Sequence, residues 1–192
     1  INHVSMLVRA ADVLLTDSQC SKEDIQEFAE AHAIAAPPIH VSRCGDEIEQ
    51  PAVVDVQAIA PLRELLGHKN FVLCVSAIDV RKNHHLLYHL WVRLIEQYAD
   101  EAPDLVCVGA VSWRTQDLRD LMTADPRCED RLHILHDIQD EALDWLYTNC
   151  LFTVYPSLYE GYGIPVAESL AYGKVCIASD ASSIVEICPE LT

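Results

Sequence analysis

Apolar residues in this chain fall into two patterns, short solid runs and longer stretches where they recur every three or four positions. The solid runs "DVLLTDS" (12–18), "IHVSR" (39–43), "FVLCVS" (71–76), "DLVCVGA" (104–110), "LHILH" (132–136), "LFTVYPS" (151–157) and "KVCIAS" (174–179) predict strands. The periodic stretches predict helices over 21–34, 83–100, 115–124 and 140–149, from Pro165 to about Gly173, and briefly at 182–187. In the longest of these, Leu86, Leu87, Leu90, Trp91, Leu94, Ile95 and Tyr98 form one face. The opening residues "INHVSMLVRAADV" are also helical in period.

Start and stop signals agree with these elements. Ser21 with Asp24 three places on reads as a capping box, and Asp140 as an N-cap. Pro165 at a first helical position and Gly173 just past the last turn bracket another helix. From Cys44 to Pro61 the period is lost, which predicts a linker.

Strands that are apolar along their whole length, alternating with helices, imply a parallel sheet covered on both faces. The predicted fold is therefore α/β, a doubly wound, Rossmann-like parallel sheet with the tail of a second α/β domain. Its divisions are 1–43 (end of a preceding domain), 44–61 (linker) and 62–192 (ligand-binding domain). In such sheets ligands sit beyond the carboxyl ends of the strands.

Composition narrows the class. With 51% hydrophobic and 22% charged residues the chain is an ordinary globular one. A net charge of −17 argues against general affinity for nucleic acid or an anionic membrane and favours a small-molecule ligand. The eight cysteines include no C-x-x-C pair, and those in "FVLCV", "LVCVG" and "KVCIAS" read as small buried hydrophobes in a reducing cytoplasm. No apolar run reaches the roughly 18 to 20 residues of a membrane span, and no signal peptide is evident. The start without Met and the end on a short helix predict a fragment of a longer protein.

Two predicted loops carry candidate chemistry. "YPSLYEGYGIPVAESLAYG" (155–173) places Glu160 in a loop and Glu168 about one turn into a helix, around the flexible turn Gly161-Tyr162-Gly163. Such carboxylates either complement the helix dipole or accept hydrogen bonds from sugar hydroxyls. "VSAIDVRKNHH" (75–85) sets Arg81 and Lys82 at the mouth of the next helix, and only 13 basic residues exist in the whole chain. Two cations at a ligand position suggest a diphosphate clamp, although a solvated helix start has the same sequence. Together the loops point to a ligand with phosphate and hydroxyl-rich parts, such as a nucleotide-sugar. His85 and His89, one turn apart, have no third ligand nearby and read as a polar flank. Trp91 and Trp145 read as core.

The segment "PSLYEGYGIPVAESLAYGKVCIASDASSIVEI" closely resembles the donor site of retaining GT-B glycosyltransferases of the large group 1 type, whose Glu-x7-Glu motif is met by Glu160 and Glu168. "FVLCVSAIDVRKNHHLL", "LVCVGA", "LHILHDIQDEALDWLY" and "ADVLLTDSQCSKEDI" resemble other parts of the same family, so the similarity covers nearly the whole chain. The resemblance implies that Arg81 and Lys82 bind the donor diphosphate and that Glu168 holds the ribose hydroxyls. Glu160 would contact the donor sugar, and Gly161, Tyr162 and Gly163 would turn backbone amides toward sugar and phosphate. Ser157 would lie beside the donor, and the stretch from His136 to Ile138 beside the nucleobase. Ser76-Ala77 stands where many relatives have Gly-Arg or Gly-Thr, so Ser76 marks a site position whose usual phosphate contact falls to Arg81. His136 replaces a common glycine and Tyr162 a common phenylalanine.

The implied activity is hexosyl transfer from a GDP- or UDP-sugar, with retention of anomeric configuration, by front-face attack without an enzyme nucleophile. No metal and no cofactor are expected, because cations stabilise the leaving diphosphate. The acceptor, a glycan or lipid-linked glycan, would be held by a preceding domain that this chain largely lacks, so the fragment alone is expected to be inactive. The longer protein is expected in the cytoplasm, with peripheral association at the cytosolic face of the membrane. Competing readings are a nucleotide-sugar epimerase, a phosphorylase, for which no cofactor lysine is suggested, and a non-catalytic partner subunit.

Overall fold

The computed structural model describes residues 2–45, 56–67, 69–111 and 116–189. It divides into two units: Ile1–Asp46 with Tyr159–Ile164 and Asp180–Thr192, and Glu47–Leu158 with Pro165–Ser179.

In the first unit α1 (Asn2–Ala10), β1 (Leu14–Thr16), α2 (Gln19–Ala31) and β2 (Ile39–Val41) follow in order. β1 and β2 pair in parallel, Leu14 opposite Ile39. Val8, Ala29 and Ile34 are the buried core, with Leu14, Ile25 and Phe28 packed on it. The cap of α2 is Ser18, not Ser21. Ser18 has extended backbone, and its hydroxyl accepts from the Ser21 amide at 3.0 Å. The next two amides, of Gln19 and Cys20, donate to the Glu186 carboxylate at 2.8 Å each, so a negative charge completes the positive end of this helix. Glu186 ends a 3-10 turn, Ser182–Glu186.

The second unit contains α3 (Val56–Leu66), β3 (Phe71–Val75), α4 (His84–Tyr98), β4 (Asp104–Val108), α5 (Gln116–Ala124), β5 (Leu132–Leu135), α6 (Asp140–Asn149), β6 (Thr153–Tyr155), α7 (Ile164–Ala171) and β7 (Cys176–Ala178). The sheet is parallel, in the order β5-β4-β3-β6-β7. Its central strands are buried on both faces, as their unbroken apolar sequence requires. On one face Val72, Cys74, Leu105 and Cys107 meet Leu87, Trp91 and Leu118 of α4 and α5. On the other, Phe71, Leu73, Val106 and Val108 meet Leu62, Leu66 and Leu146 of α3 and α6. The indole N–H of Trp91, read as core from sequence, donates to the Pro103 carbonyl at 2.9 Å.

Three local expectations change. α3 begins inside the stretch read as a linker, and Ile59, Leu62 and Leu66 are buried at helical spacing. That period straddles Pro61, which hid it; residues 46–55 of the predicted linker lie outside the described residues. The cap of α6 is Gln139, in extended backbone, and Asp140 lies in the first turn with Glu141, where both complement the helix dipole. α7 starts one residue before Pro165 and closes at Gly173, whose φ of +68° suits a residue without a Cβ. No helix among the described residues is long and apolar enough to cross a membrane.

Candidate functional site

The order of the second unit's strands locates a crevice. From β3 the chain builds outward through β4 and β5, then returns to place β6 on the other side of β3. The carboxyl ends of β3 and β6 therefore flank a topological switch point, where open α/β sheets bind ligands.

The loop leaving β3 is tied down along its length. The Ser76 amide donates to the Val108 carbonyl at 2.9 Å and the Ile78 amide to the Ala110 carbonyl at 2.8 Å. Gly109 is what lets these backbones approach. Its φ is +153°, and a Cβ there would lie 2.2 Å from the Ser76 carbonyl oxygen. Asp79 then starts the 3-10 turn Val80–Lys82, its carboxylate accepting from the Arg81 amide at 3.0 Å. Asn83, at φ +59°, leads into α4.

Lys82 and β6 meet at the switch point. The Lys82 ammonium donates to the Tyr155 hydroxyl at 2.7 Å and lies 5.0 Å from the centre of its ring. The neighbouring Arg81 has an exposed side chain, and its carbonyl accepts from the Leu158 amide at 2.8 Å and the Ser157 hydroxyl at 3.2 Å. Ser157 is buried, and its own carbonyl accepts from the Ser179 hydroxyl. Ser157 thus joins the loop after β6 to the loop after β3. Ser76, also buried, has its hydroxyl 3.4 Å from His84 Nε2.

Glu168, half-buried on α7, accepts from the Tyr147 hydroxyl at 2.8 Å. Burial, and then the Glu168 charge, raise the Tyr147 pKa far above the usual phenol range, so Tyr147 stays a donor. Its ring stacks on Tyr172, with centroids 4.8 Å apart and planes 5° from parallel. Tyr172 donates to Asp144 at 2.9 Å, and burial followed by Asp144 pushes its pKa up to about 12. Ile138 packs on the α3–α6 core and, with Gln57, Pro61, Leu65 and Asp137, lines a groove beyond the end of β5. Beside it the exposed His136 pairs with Asp137 at 2.9 Å.

The Glu160 segment belongs to the first unit. Its backbone is held by two serines of the 3-10 turn: the Glu160 amide donates to Ser182 at 2.8 Å, and Ser183 donates to the carbonyls of Glu160 and Tyr162 at 3.0 Å each. Glu160 and Tyr162 are buried. Gly161 lies against Asp17, and its carbonyl accepts from Ser21 at 3.3 Å. Gly163 has φ +109°, beyond the reach of most side chains. The Glu160 amide is therefore engaged within the protein.

Several participants were missed from sequence. Nothing in the sequence singled out Tyr155 or Tyr147, and only their hydroxyl partners mark them out. Gly109 looked like the end of a strand, although a glycine directly after a buried apolar run is a signal of close backbone approach. Ser183 and Glu186 fall in a stretch read only as a short helix.

In chemical terms the second unit offers an ammonium and an exposed guanidinium at a switch point, with a carboxylate kept in place by a protonated phenol. Comparison with known proteins gives these groups a family. The sequence model described as "Glycosyl transferases group 1" matches residues 60–190. The serotype-specific mannosyltransferase WbdA of Escherichia coli is 25% identical over 180 residues, covering 92% of this chain and 22% of WbdA. The O-antigen chain mannosyltransferase B of Escherichia coli is 29% identical over 122 residues, 64% of this chain and 32% of the relative. This chain thus spans about a fifth to a third of the length of these relatives. The crystal structure of Anabaena Alr3699/HepE in complex with UDP and glucose superposes with a TM-score of 0.73 at 22% identity, over 96% of this chain and 49% of that one. The fold is thus that of the GT-B glycosyltransferases, and the match over most of its length shows that the chain belongs to the group 1 glycosyl transferase family.

Proposed function

We propose that this chain is the donor-binding part of a retaining hexosyltransferase that takes its sugar from a nucleotide diphosphate. The observation that carries this reading is the Lys82 ammonium, bonded to Tyr155 at 2.7 Å at the switch point between β3 and β6. As the bond from the sugar's anomeric carbon to the diphosphate breaks, negative charge grows on the leaving oxygens. Lys82 and Arg81 stabilise that charge. The acceptor hydroxyl attacks from the face the diphosphate leaves, which retains configuration, and its proton passes to a phosphate oxygen.

Glu168, oriented by Tyr147, accepts the ribose hydroxyls, each such bond to a charged group contributing about 1.5–3 kcal/mol. Glu160 contacts the donor sugar, with Gly161, Tyr162 and Gly163 shaping the turn. Ile138 borders the nucleobase, while Ser76 and Ser157 hold the loops in register. The acceptor site belongs to parts of the protein outside this chain, and a glycan or lipid-linked glycan is the acceptor class proposed. The mannosyltransferase relatives favour GDP-mannose as donor, and UDP in the Anabaena structure makes UDP-hexoses the comparison to run.

Calorimetry of the full-length protein with GDP and with UDP tests the reading, followed by a nucleotide-sugar panel scored for transfer and donor hydrolysis. Binding of one nucleotide with release of its sugar supports the proposal. If neither nucleotide binds, the transferase reading fails.

A further inference from the structure

Cys74 and Cys107 stand side by side on paired parallel strands, in register, and face α4 on the same side of the sheet. Both are fully buried. His84, the first residue of α4 and only 1% exposed, turns its ring toward them, with Nε2 3.8 Å from the Cys74 sulfur. The two sulfurs and one ring nitrogen all lie within 4.8 Å of one another. The Ser76 hydroxyl stands 3.4 Å from His84 Nε2. Among the described residues, Nδ1 of this same histidine is the buried side-chain polar atom that has no hydrogen-bond partner.

We propose that Cys74, Cys107 and His84 form a buried site for one zinc ion, which fastens the start of α4 to the sheet beneath the loop carrying Arg81 and Lys82. Three arguments converge. The donors are of the right kind, since two thiolates and an imidazole suit zinc and discriminate against calcium and magnesium. The size is right, because two sulfurs on one tetrahedral zinc are about 3.8 Å apart for bonds of about 2.3 Å, so donors within 4.8 Å need only a small contraction. The charge is right as well. A divalent ion with two thiolates and a neutral imidazole is neutral overall, which a site without solvent requires. Binding releases two thiol protons to solvent. The Ser76 hydroxyl, which also hydrogen-bonds Cys74, is the oxygen placed to fill a fourth position.

An apolar core would gain nothing from a histidine here. The ring is buried with Nε2 as the nitrogen facing the Cys74 sulfur and the Ser76 hydroxyl, so its polar contacts lie on the side of the two thiols. His85 and His89, one turn apart, read from sequence as a polar flank, and the histidine brought to sulfur donors is their neighbour His84. Position gives the site its consequence. Ser76 opens the loop that Lys82 closes, and His84 follows Lys82 by two residues, so an ion joining strand to helix restricts the loop from both ends.

The test uses the full-length protein, stripped with a chelator, reconstituted with zinc chloride or cobalt chloride, and desalted. The expected result is one zinc per chain by elemental analysis. A sulfur-to-cobalt charge-transfer band should appear with cobalt, and added zinc should raise the thermal midpoint. Cys74→Ser and Cys107→Ser should each weaken zinc binding at least tenfold, while Cys20→Ser, in the first unit, should bind as wild type. Zinc content near zero or a cobalt complex lacking the thiolate band overturns the site from the wild-type protein alone, whether or not the serine variants fold. Undiminished binding by both serine variants overturns it equally.

Discussion

The Lys82 ammonium donates to the Tyr155 hydroxyl at 2.7 Å and sits 5.0 Å from the ring centre, so one aromatic residue at the end of β6 both bonds and faces the cation of the neighbouring loop. Tyr155 is only 2% exposed, which fixes the ring and through it the ammonium. Such a charge needs no reorganisation when a leaving diphosphate develops its own. Lys82→Ala is accordingly expected to lower kcat of the full-length enzyme by about 10²–10³-fold. Tyr155→Phe keeps the ring beneath the ammonium and removes only the hydroxyl, so its loss should stay below about tenfold. Steady-state transfer assays on the pair check this. Equal losses would mean that the hydroxyl, rather than the charge, is what the reaction uses.

Glu168 offers a second, separable measurement. Its partner Tyr147 is buried and kept protonated by burial and by Glu168 itself, so it stays a hydrogen-bond donor to the carboxylate at neutral and mildly alkaline pH. Glu168→Ala is expected to weaken donor binding by about 10- to 150-fold, equivalent to about 1.5–3 kcal/mol, with a smaller effect on kcat. Tyr147→Phe leaves the carboxylate present but loosely oriented and should cost less, about 1 kcal/mol. Nucleotide calorimetry on both variants is the check. Because Tyr147 titrates far above the usual phenol value, it should contribute no ionisation to donor affinity up to about pH 10.

Much of this was legible in the chain because it depends on local pattern. Strands buried on both faces announce themselves by runs such as "FVLCV", and the loop with Arg81 and Lys82 could be placed at a carboxyl end from strand–helix alternation alone. What depended on distant partners was not legible. Ser18 outcompetes Ser21 as a cap because the backbone turns extended three residues earlier, and Glu186 supplies a charge from 166 residues away in sequence. The grouping of Tyr159–Ile164 with the first unit follows from serine hydroxyls of the Ser182–Glu186 turn, which no periodicity encodes. Cys74, His84 and Cys107 were individually unremarkable and are united only by strand register.

Gly109 gives a test of the loop's construction that is independent of activity. An added methyl would meet the Ser76 carbonyl oxygen at 2.2 Å, and both atoms belong to backbone that is hydrogen-bonded in place. Neither side can yield cheaply. Gly109→Ala is expected to destabilise the protein by about 3 kcal/mol or to prevent folding, a large effect for one methyl. Urea denaturation measures it, and a loss below about 0.5 kcal/mol would show that the loop after β3 shifts freely.

Asp104, at the start of β4, sets an acid limit on the fold. The residue is 2% exposed, and its carboxylate accepts from Lys69 Nζ at 3.2 Å, Arg131 Nε at 2.8 Å and His133 Nε2 at 3.1 Å. Burial acts to raise its pKa, but the hydrogen bonds from His133, Arg131 and Lys69 together overcome this and hold it below the usual carboxylate value. A carboxyl with a depressed pKa stabilises the folded state at pH above its unfolded value of about 3.9, and that contribution disappears as pH falls through the folded pKa. Asp104→Asn abolishes the charge and should cost about 3 kcal/mol at neutral pH, since two cations keep a buried partner that no longer compensates them. The gap between wild type and variant should then close progressively below about pH 4. Denaturation curves of both proteins across that range measure the difference. A gap that stayed constant from neutral to acid pH would assign the loss to altered packing rather than to the carboxylate's charge.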